Sequence, residues 1–187
     1  MDPAAAAMPS PPEHFATARL IARRPRLEDA AAIFAAYAGD PEATRHLSFR
    51  THRDVAGVAT FLRDSALPAW RDARGHRPWM LCLRGTDVPI GSIGLSLDDG
   101  KAMFGYVLGR PHWGRGLMTE ALRWLVDWSL AQPEIFRAWA FCDAENPASA
   151  RVMEKAGMTR EGVWRRWHRA PNLGAELRDC IVCAKVR

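Results

Sequence analysis

The stretch Tyr106-Val107-Leu108-Gly109-Arg110-Pro111-His112-Trp113-Gly114-Arg115-Gly116-Leu117-Met118-Thr119 decides the fold of this chain of 187 residues. An apolar strand ends in it, a glycine-rich loop follows, and a helix begins. Glycines let a backbone approach a phosphate closely, and the free N–H groups of a helix start attract anions. The loop lacks the Gly-Lys-Ser/Thr of a Walker loop and the Gly-x-Gly-x-x-Gly dinucleotide fingerprint. The stretch predicts an anion site, and a plain strand-to-helix turn is the alternative.

A second informative stretch is Asn146-Pro147-Ala148-Ser149-Ala150-Arg151-Val152-Met153-Glu154-Lys155-Ala156-Gly157-Met158, which follows one further predicted strand. Asn146 is typical of a helix N-cap, Pro147 of the first helical position and Gly157 of a helix terminator. These structural roles explain Asn146 and Pro147 without any function. Asn146 and Ser149 nevertheless share one first helical turn, where polar groups can meet a ligand.

The pattern around these stretches predicts the element order βααβββαβαββ. Turn signals at 85–87 and 98–100 separate three strands that precede the glycine-rich loop, which indicates an antiparallel meander. We expect an α/β (α+β) domain over residues 15–187, with a mixed, mostly antiparallel sheet of about seven strands flanked by helices. The Ala/Pro-rich residues 1–14 are expected to form a disordered lead-in.

Composition restricts the classes of function. The net charge is +5 and the basic residues are nearly all arginines, with clusters within 23–26 and 165–169. Because no nucleic-acid motif accompanies these clusters, we interpret them as solvated faces. No export signal and no segment apolar enough to span a membrane are predicted.

The cysteines point to a reducing compartment. Cys82, Cys142, Cys180 and Cys183 all lie in apolar stretches. Cys180 and Cys183 stand three apart on a predicted strand, so their side chains point to opposite faces, and no second ligand pair completes a zinc site. We expect buried reduced thiols, no metal and a cytoplasmic location.

Together the two stretches resemble the signature motifs of the GNAT superfamily of N-acetyltransferases, most closely its RimJ/RimL-like branch. The resemblance covers about residues 15–187 and depends on an ordered set of short motifs. These are Thr17-Ala18-Arg19-Leu20, Pro89-Ile90-Gly91, Phe104-Gly105-Tyr106, Trp113-Gly114-Arg115-Gly116, Thr119-Glu120-Ala121, Asn146-x-x-Ser149, Glu154-Lys155-x-Gly157-Met158 and Arg160-Glu161-Gly162.

The resemblance implies a single GNAT domain in which the fourth and fifth strands splay and the pantetheine arm of acetyl-CoA fills the gap. One backbone N–H of the strand would polarise the thioester carbonyl, the loop would wrap the pyrophosphate, and Asn146 would bond the pantetheine. Trp113 and Met118 depart from the Gln or Arg and the Gly or Ala common in the superfamily. The implied cofactor-binding set is Tyr106, Val107, Leu108, Trp113, Gly114, Arg115, Gly116, Leu117, Met118, Thr119, Asn146 and Ser149.

The resemblance also identifies candidates for proton transfer. Phe141 and Met153 stand where RimI-like relatives carry Glu and Tyr, so that mechanism is excluded. The RimL-like pattern places Ser149 to hold the sulfur or relay a proton. His168 stands where that pattern has a carboxylate, and its ordinary pKa of about 6.5 suits a general base. The alternative for His168 is a surface histidine at a strand end, and for Glu120 a helix-dipole role.

The expected reaction is acetyl transfer from acetyl-CoA to a primary amine by direct attack in a ternary complex. An α-amine has a pKa of about 8 and a lysine about 10.4, so neutralising lysine near pH 7 costs about 3 kcal/mol more. This difference favours a protein N-terminus as acceptor. A small-molecule amine acetyltransferase, a catalytically weak acyl-CoA-binding module and an RNA-associated protein remain alternatives. The protein is expected to be a monomer or homodimer.

Overall fold

The meander predicted before the glycine-rich loop forms the centre of one open sheet. The computed structural model describes residues 9–72 and 75–187. These residues form eight strands: β1 (His14–Ala16), β2 (Leu20–Arg23), β3 (Arg77–Leu83), β4 (Pro89–Asp98), β5 (Lys101–Leu108), β6 (Arg137–Asp143), β7 (Thr159–Arg169) and β8 (Leu177–Val186). Their order in the sheet is β1-β2-β3-β4-β5-β6-β8-β7, and among these strands only β5 and β6 pair in parallel. The predicted mixed sheet is confirmed, with eight strands because short β1 adds to β2.

Two helices begin where a capping residue and a proline predict them. Asp40 accepts hydrogen bonds just before Pro41, and Asn146 accepts one just before Pro147. The helices are α1 (Ala30–Ile33), α2 (Pro41–Thr44), α3 (Val55–Phe61), α4 (Leu117–Leu130) and α5 (Pro147–Lys155). Shorter turns add a 3-10 turn and a π-helical turn around α1 (Leu27–Asp29 and Phe34–Ala38), a π-helical turn after α3 (Leu62–Ala66), and 3-10 turns at Pro68–Trp70 and Arg110–His112.

Apolar side chains are buried on both faces of the sheet. On one face, Leu122 of α4 and Met153 of α5 pack in one cluster with Phe104 of β5. On the other face, Val58 of α3 packs in a second cluster with Met80 of β3. Each such side chain contributes about 1.5–3 kcal/mol of hydrophobic free energy when it leaves water. The sheet is therefore held between two helical layers.

Strands β5 and β6 pair over only part of their length. Their parallel pairing ends at Phe104 with Ala140. Beyond that point β5 stays paired with β4 as far as Leu108, and β6 stays paired with β8 as far as Asp143. A gap, called the β5–β6 gap below, therefore opens between their carboxyl ends. It is the splay expected of the fourth and fifth predicted strands, which become β5 and β6 once β1 is counted.

The predicted lead-in, 1–14, is only partly described. Residues 1–8 lie outside the described residues. Further along, the Trp79 indole Nε1 donates to the Pro12 carbonyl at 3.0 Å, and Arg24 pairs with Glu13 at 2.7 Å. The described end of the lead-in therefore lies against the sheet.

Candidate active site

The backbone of β5 turns alternate residues to the β5–β6 gap. The Gly109 N–H donates to the Ile90 carbonyl at 2.9 Å, which marks a bonded pair of the β4–β5 ladder. Bonded pairs alternate in an antiparallel ladder, so Val107 directs its backbone to β4, whereas Tyr106 and Leu108 direct theirs to the gap. Residues 106–108 were predicted to offer their backbone to the pantetheine arm. The alternation leaves Tyr106 and Leu108 facing the gap, whereas the backbone of Val107 faces β4.

The Trp113 indole closes one edge of this gap. Its Nε1 donates to the Leu108 carbonyl at 2.6 Å, while 46% of the residue stays exposed. The side chain thus reaches back to the end of β5, and the N–H of Leu108, like that of Tyr106, still faces the gap. Trp113, predicted as part of the phosphate loop, also fixes the strand end, which its position in the sequence does not reveal.

The glycine-rich loop leads into the exposed start of α4. Gly114 and Gly116 have φ angles of 71° and 72°, a region that side chains disfavour. The Gly116 carbonyl accepts the first helical bond, from Glu120 N–H at 3.1 Å. The N–H groups of 117–119 precede that bond, so they face outward at the positive end of the helix dipole. This geometry suits a pyrophosphate.

The bulky residues at the start of α4 do not occupy the phosphate position. Leu117 and Met118 are 1% and 5% exposed and belong to the core cluster beneath the helix. The Met118 side chain therefore leaves the backbone donors accessible. Arg115 remains exposed above them, where its charge can meet an anion.

A buttress from the first motif holds the loop in place. Arg19 donates through Nε to Glu120 at 2.7 Å and through Nη1 to the Arg115 carbonyl at 2.8 Å. Its own N–H donates to the second Glu120 oxygen at 2.8 Å. Glu120 therefore does more than interact with the helix dipole, because it ties α4 to the segment before β2.

The first turn of α5 meets β5 beside the gap. The Tyr106 hydroxyl lies 2.8 Å from Ser149 Oγ and 3.1 Å from the Ser149 carbonyl. Asn146 Oδ1 accepts from the Ser149 N–H at 3.1 Å, so its amide NH₂ group is the part that can donate to a ligand. The structure thus brings the predicted residues Tyr106, Asn146 and Ser149 together, and it adds a phenol that the resemblance did not assign.

Burial keeps the nearby phenol and thiols protonated. Burial raises the pKa of Tyr106, and the hydrogen bond with Ser149 offsets only part of that rise. Burial likewise raises the pKa of Cys142 to about 12 and that of Cys82 to about 11. All four cysteines are free and buried. A thiolate nucleophile is therefore disfavoured in the described site.

A buried carboxylate stands at the end of β6. Asp143 is 4% exposed, and its oxygens accept from Arg178 Nε at 2.5 Å and from the Glu145 N–H at 2.8 Å. Burial alone would raise the pKa of Asp143, but the Arg178 hydrogen bond and the Glu145 N–H hold that pKa below its ordinary value. Asp143 is therefore ionised at neutral pH.

Two histidines flank this carboxylate. His46 Nδ1 lies 3.7 Å from Asp143 Oδ2 and has no hydrogen-bond partner in the described part of the chain. His168 packs edge-on against Phe141, with ring centroids 5.1 Å apart. Burial lowers the pKa of His168, and the negative charge of Asp143 opposes that shift. His168 is therefore neutral near pH 7 and can accept a proton.

Several members of this cluster were not predicted from the sequence. His46, Asp143 and Arg178 come from three separate segments, and no motif joins them. Phe141 and Met153, which cannot transfer a proton, pack instead: Phe141 contacts the His168 ring and Met153 is fully buried.

One asparagine ties the segment 44–51, which carries His46, to the turn between β7 and β8. Asn172 Nδ2 donates to the carbonyls of Thr44 and Phe49, each at 2.8 Å, and its Oδ1 accepts from the Thr51 N–H at 3.0 Å. Asn172 and its partners lie far apart in the sequence and leave no local pattern, so Asn172 could not be predicted from the sequence.

Residues 9–72 and 75–187 contain neither a metal-ligand cluster nor a membrane-spanning helix. No group of three or more His, Cys, Asp or Glu side chains there suits a metal ion. Within the same ranges, no helix has the length and apolarity needed to cross a bilayer.

Known proteins resemble the chain in sequence and in fold. The uncharacterized N-acetyltransferase p20 of Bacillus licheniformis is 30% identical over 164 residues, which cover 84% of this chain and 89% of p20. The Microcin C7 self immunity acetyltransferase MccE, solved with acetyl-CoA and AMP, superposes with a TM-score of 0.83 at 17% identity over 95% of this chain and 98% of MccE. RimL, a ribosomal L7/L12 alpha-N-protein acetyltransferase solved with CoA, gives 0.74 at 16% identity, covering 96% and 97%.

These structural likenesses establish the fold, while the sequence establishes the family. The model of the family described as "Acetyltransferase (GNAT) domain" matches residues 19–159, from the Arg19 buttress to the start of β7. The matched region contains the gap, the loop and the first turn of α5. The chain therefore belongs to the GNAT family of acetyl-CoA-dependent N-acetyltransferases.

Proposed function

We propose that this enzyme acetylates an α-amine, the N-terminus of a protein, by direct attack on acetyl-CoA in a ternary complex. One observation carries the proposal: the β5–β6 gap opens between the donors of β5 and the cluster around Asp143. The thioester would lie in the gap with the amine arriving from the side of His168. The two reactants would then meet without an enzyme-bound acetyl group.

Backbone groups would hold the cofactor. The N–H groups of 117–119 and the Arg115 side chain are placed to bind the pyrophosphate. The NH₂ group of Asn146 would donate to the pantetheine arm. The Leu108 N–H would donate to the thioester carbonyl, whose oxygen gains negative charge during attack. Bound acetyl-CoA supplies the activated acetyl group and the thiolate leaving group.

Ser149 and Tyr106 are proposed to protonate the leaving thiolate. The two hydroxyl oxygens lie 2.8 Å apart, so the Tyr106 hydroxyl can donate to Ser149 Oγ. The Ser149 hydroxyl would give its proton to the sulfur, the Tyr106 proton would replace it on Ser149, and the phenol would be reprotonated from water after product release. The high pKa of Tyr106 keeps the phenol protonated before each turnover.

His168 is proposed to take the proton from the amine. Its pKa is lowered by burial, so the neutral imidazole prevails near pH 7, and the carboxylate of Asp143 stabilises the cation formed by proton uptake. His46 is the second candidate base, because its Nδ1 faces the same carboxylate at 3.7 Å.

The acceptor is assigned on the cost of deprotonation. An α-amine near pH 7 needs about 3 kcal/mol less than a lysine amine to become neutral. A single partly buried histidine is a modest base and favours the acceptor that is easier to deprotonate. The structurally similar RimL is a ribosomal L7/L12 alpha-N-protein acetyltransferase, which agrees with this assignment. A small amine is the second candidate, since the gap itself does not require a polypeptide.

Acetyl-CoA binding is tested by thermal unfolding. At one hundred times its Kd, the ligand adds about 2.7 kcal/mol to the free energy of unfolding. For a chain of this size that corresponds to about 5–10 °C in Tm. No shift at millimolar acetyl-CoA would contradict the proposal.

Turnover separates the enzyme from its rivals. CoA release is measured with a dipeptide bearing a free α-amine and with Nα-acetyl-lysinamide. The proposal expects faster release with the dipeptide. Binding of acetyl-CoA without turnover on any amine would favour the acyl-CoA-binding module. Salt-sensitive RNA binding that survives Asn146→Ala would favour the RNA-associated protein.

Two further properties belong to the proposal. Four buried free thiols agree with a reducing compartment, so we place the enzyme in the cytoplasm. Nothing in the proposed reaction requires a second subunit, so a monomer suffices.

A further inference from the structure

Five ring side chains form one continuous row, called the aromatic wall, on the sheet face that carries Asp143. Ring centroids are 5.1 Å apart for His168 and Phe141, 6.2 Å for Phe141 and Trp139, 5.6 Å for Trp139 and Trp164, and 4.4 Å for Trp164 and Trp167. The row begins at the proposed base on β7, crosses to Phe141 and Trp139 of β6, and returns to β7 at Trp164 and Trp167. Trp164 and Trp167 are 37% and 50% exposed.

The outer end of the wall depends on a specific backbone irregularity. Trp164 and Trp167 stand three apart, which places side chains of a regular strand on opposite faces. The register of β7 with β8 shifts between Trp164 and His168, and Arg166 has a φ of 46°. The Arg166 N–H donates to Asp179 Oδ1 at 2.8 Å and stabilises this bulge. The bulge brings the two indoles together.

The bulge carries two positive side chains and one negative one. Arg165 and Arg166 stand between Trp164 and Trp167 in the sequence and are exposed, and the exposed Asp179 carboxylate accepts from the Arg166 N–H. The acidic groups at the inner end are already paired, since Arg178 binds both Asp143 and Glu145. Ring faces also attract cations, but an acceptor with several positive charges would meet the arginines.

We infer that the aromatic wall binds the body of the acceptor, and that the acceptor carries a planar aromatic ring close to its amine and no further positive charge. This inference rests on the proposed function and specifies its substrate class. An aromatic ring stacked or edge-on against indoles gains free energy beyond the area that it buries. A ring held by the outer indoles leaves the amine directed inward, to His168.

A second copy of the chain suits the wall less well. In a two-fold contact the same patch faces itself, so Arg165 and Arg166 would approach their own copies. Like charges brought together in this way oppose association. A two-fold contact between copies also gives no reason for the row of rings to end at His168.

The test compares matched acceptors. L-phenylalaninamide and L-cyclohexylalaninamide share the α-amine and the size of the side chain, and differ in aromaticity. The expected kcat/KM is about fivefold higher for the aromatic amide, mainly through a lower KM. Lysinamide, with a second positive charge, is expected to be poorer than both. Equal kcat/KM for the two ring amides would overturn the inference.

Substitutions identify the side chains that are responsible. Trp164→Leu and Trp167→Leu are expected to bring the ratio of the two amides close to one while leaving the Tm shift with acetyl-CoA unchanged. Phe136→Leu is the matched control, because Phe136 is 59% exposed yet lies outside the wall. The inference fails if the control and the tryptophan variants behave alike.

Two measurements separate this inference from the proposed function. Calorimetry of the amides with protein saturated with CoA reports acceptor binding without turnover. Preferred binding of the aromatic amide with no acetylation would contradict the proposed function and support the wall. Sedimentation of the wild type and of Trp167→Leu tests the other occupant: a dimer that the substitution dissociates would overturn the inference.

Discussion

The two sides of the β5–β6 gap are built from different materials. The proposed cofactor side consists of the end of β5, the glycine-rich loop and the first turns of α4 and α5, and it offers mainly backbone N–H groups. The proposed acceptor side consists of segment 44–51, the end of β6 and strands β7 and β8, and it offers side chains such as Asp143, His168 and Asn172. On this proposal a common donor is held by local backbone geometry, whereas a particular acceptor needs side chains brought together over long distances.

The largest effect is expected on the acceptor side. His168→Ala removes the proposed base and should lower turnover by about 10²–10⁴-fold. Because His168 lies away from the glycine-rich loop, the Tm shift with acetyl-CoA should persist. The measurement is CoA release at saturating acetyl-CoA, together with thermal unfolding.

His46→Ala is the matched comparison, since both histidines flank Asp143. It should lower turnover by less than about tenfold, because a histidine that does not accept the proton contributes less than the roughly 10²–10⁴-fold of the general base. A larger loss with His46→Ala than with His168→Ala would exchange their roles.

The cofactor side is tested by backbone strain. Gly116→Ala puts a side chain at a φ of 72°, which costs about 1–2 kcal/mol and displaces the start of α4. If the native loop geometry binds the pyrophosphate, that cost corresponds to about 5- to 30-fold weaker acetyl-CoA binding. Calorimetry with acetyl-CoA measures it.

Gly157→Ala provides the control, because Gly157 has a φ of 96° at the far end of α5. The control should lower stability to a similar extent with little change in acetyl-CoA affinity. Equal loss of affinity in both variants would mean that the loop contributes only to general stability.

The local geometry of the proposed cofactor side was predictable from the sequence, while its role in binding stays a prediction. Glycine positions, the Asn146 cap and the helix start are local features, and local features leave motifs. The alternation that removes Val107 from the gap depended on the β4–β5 register, which no motif states. The indole of Trp113 on the Leu108 carbonyl likewise became visible only in three dimensions.

The acceptor side was largely beyond prediction for a physical reason. Asp143, His46 and Arg178 meet because the sheet order places β8 beside β6, and segment 44–51 reaches them from the other end of the chain. The arginines of the cluster at 165–169 are exposed, as the interpretation of a solvated face expects, but the bulge at Arg166 and the contact between Trp164 and Trp167 left no signal in the sequence. His168 alone had a signal, through the resemblance to the RimL-like branch.

Asn172→Ala tests the connection between segment 44–51 and the turn that joins β7 to β8. The variant leaves the Thr44 and Phe49 carbonyls and the Thr51 N–H without this partner, and each lost bond between such partly buried groups costs about 0.5–1.5 kcal/mol. A lower free energy of unfolding and a higher acceptor KM are expected, with acetyl-CoA affinity unchanged.

Asn172→Asp keeps the acceptor oxygen for the Thr51 N–H but replaces the donor NH₂ with an oxygen that faces the Thr44 and Phe49 carbonyl oxygens, so its effect should be at least as large as that of Asn172→Ala. Chemical denaturation and steady-state kinetics measure both properties. An unchanged acceptor KM in Asn172→Ala would show that segment 44–51 does not shape the acceptor side.

The smallest effect is a displacement of the pH profile. His168 must be neutral to accept a proton, and burial lowers its pKa below 6.5. The acidic limb of kcat/KM should therefore fall below pH 6.5. Asp143→Asn removes the charge that raises the pKa of His168, so the limb should move to still lower pH. A move to higher pH would contradict the assignment of His168.

The central claim is that both sides of the gap act at once, with the amine attacking acetyl-CoA directly. Initial velocities measured while both substrates are varied test it, combined with intact-mass analysis of the enzyme after acetyl-CoA alone. The account predicts intersecting double-reciprocal lines and no acetylated enzyme, because burial raises the pKa of each of the four thiols. Parallel lines together with an acetylated enzyme would contradict it.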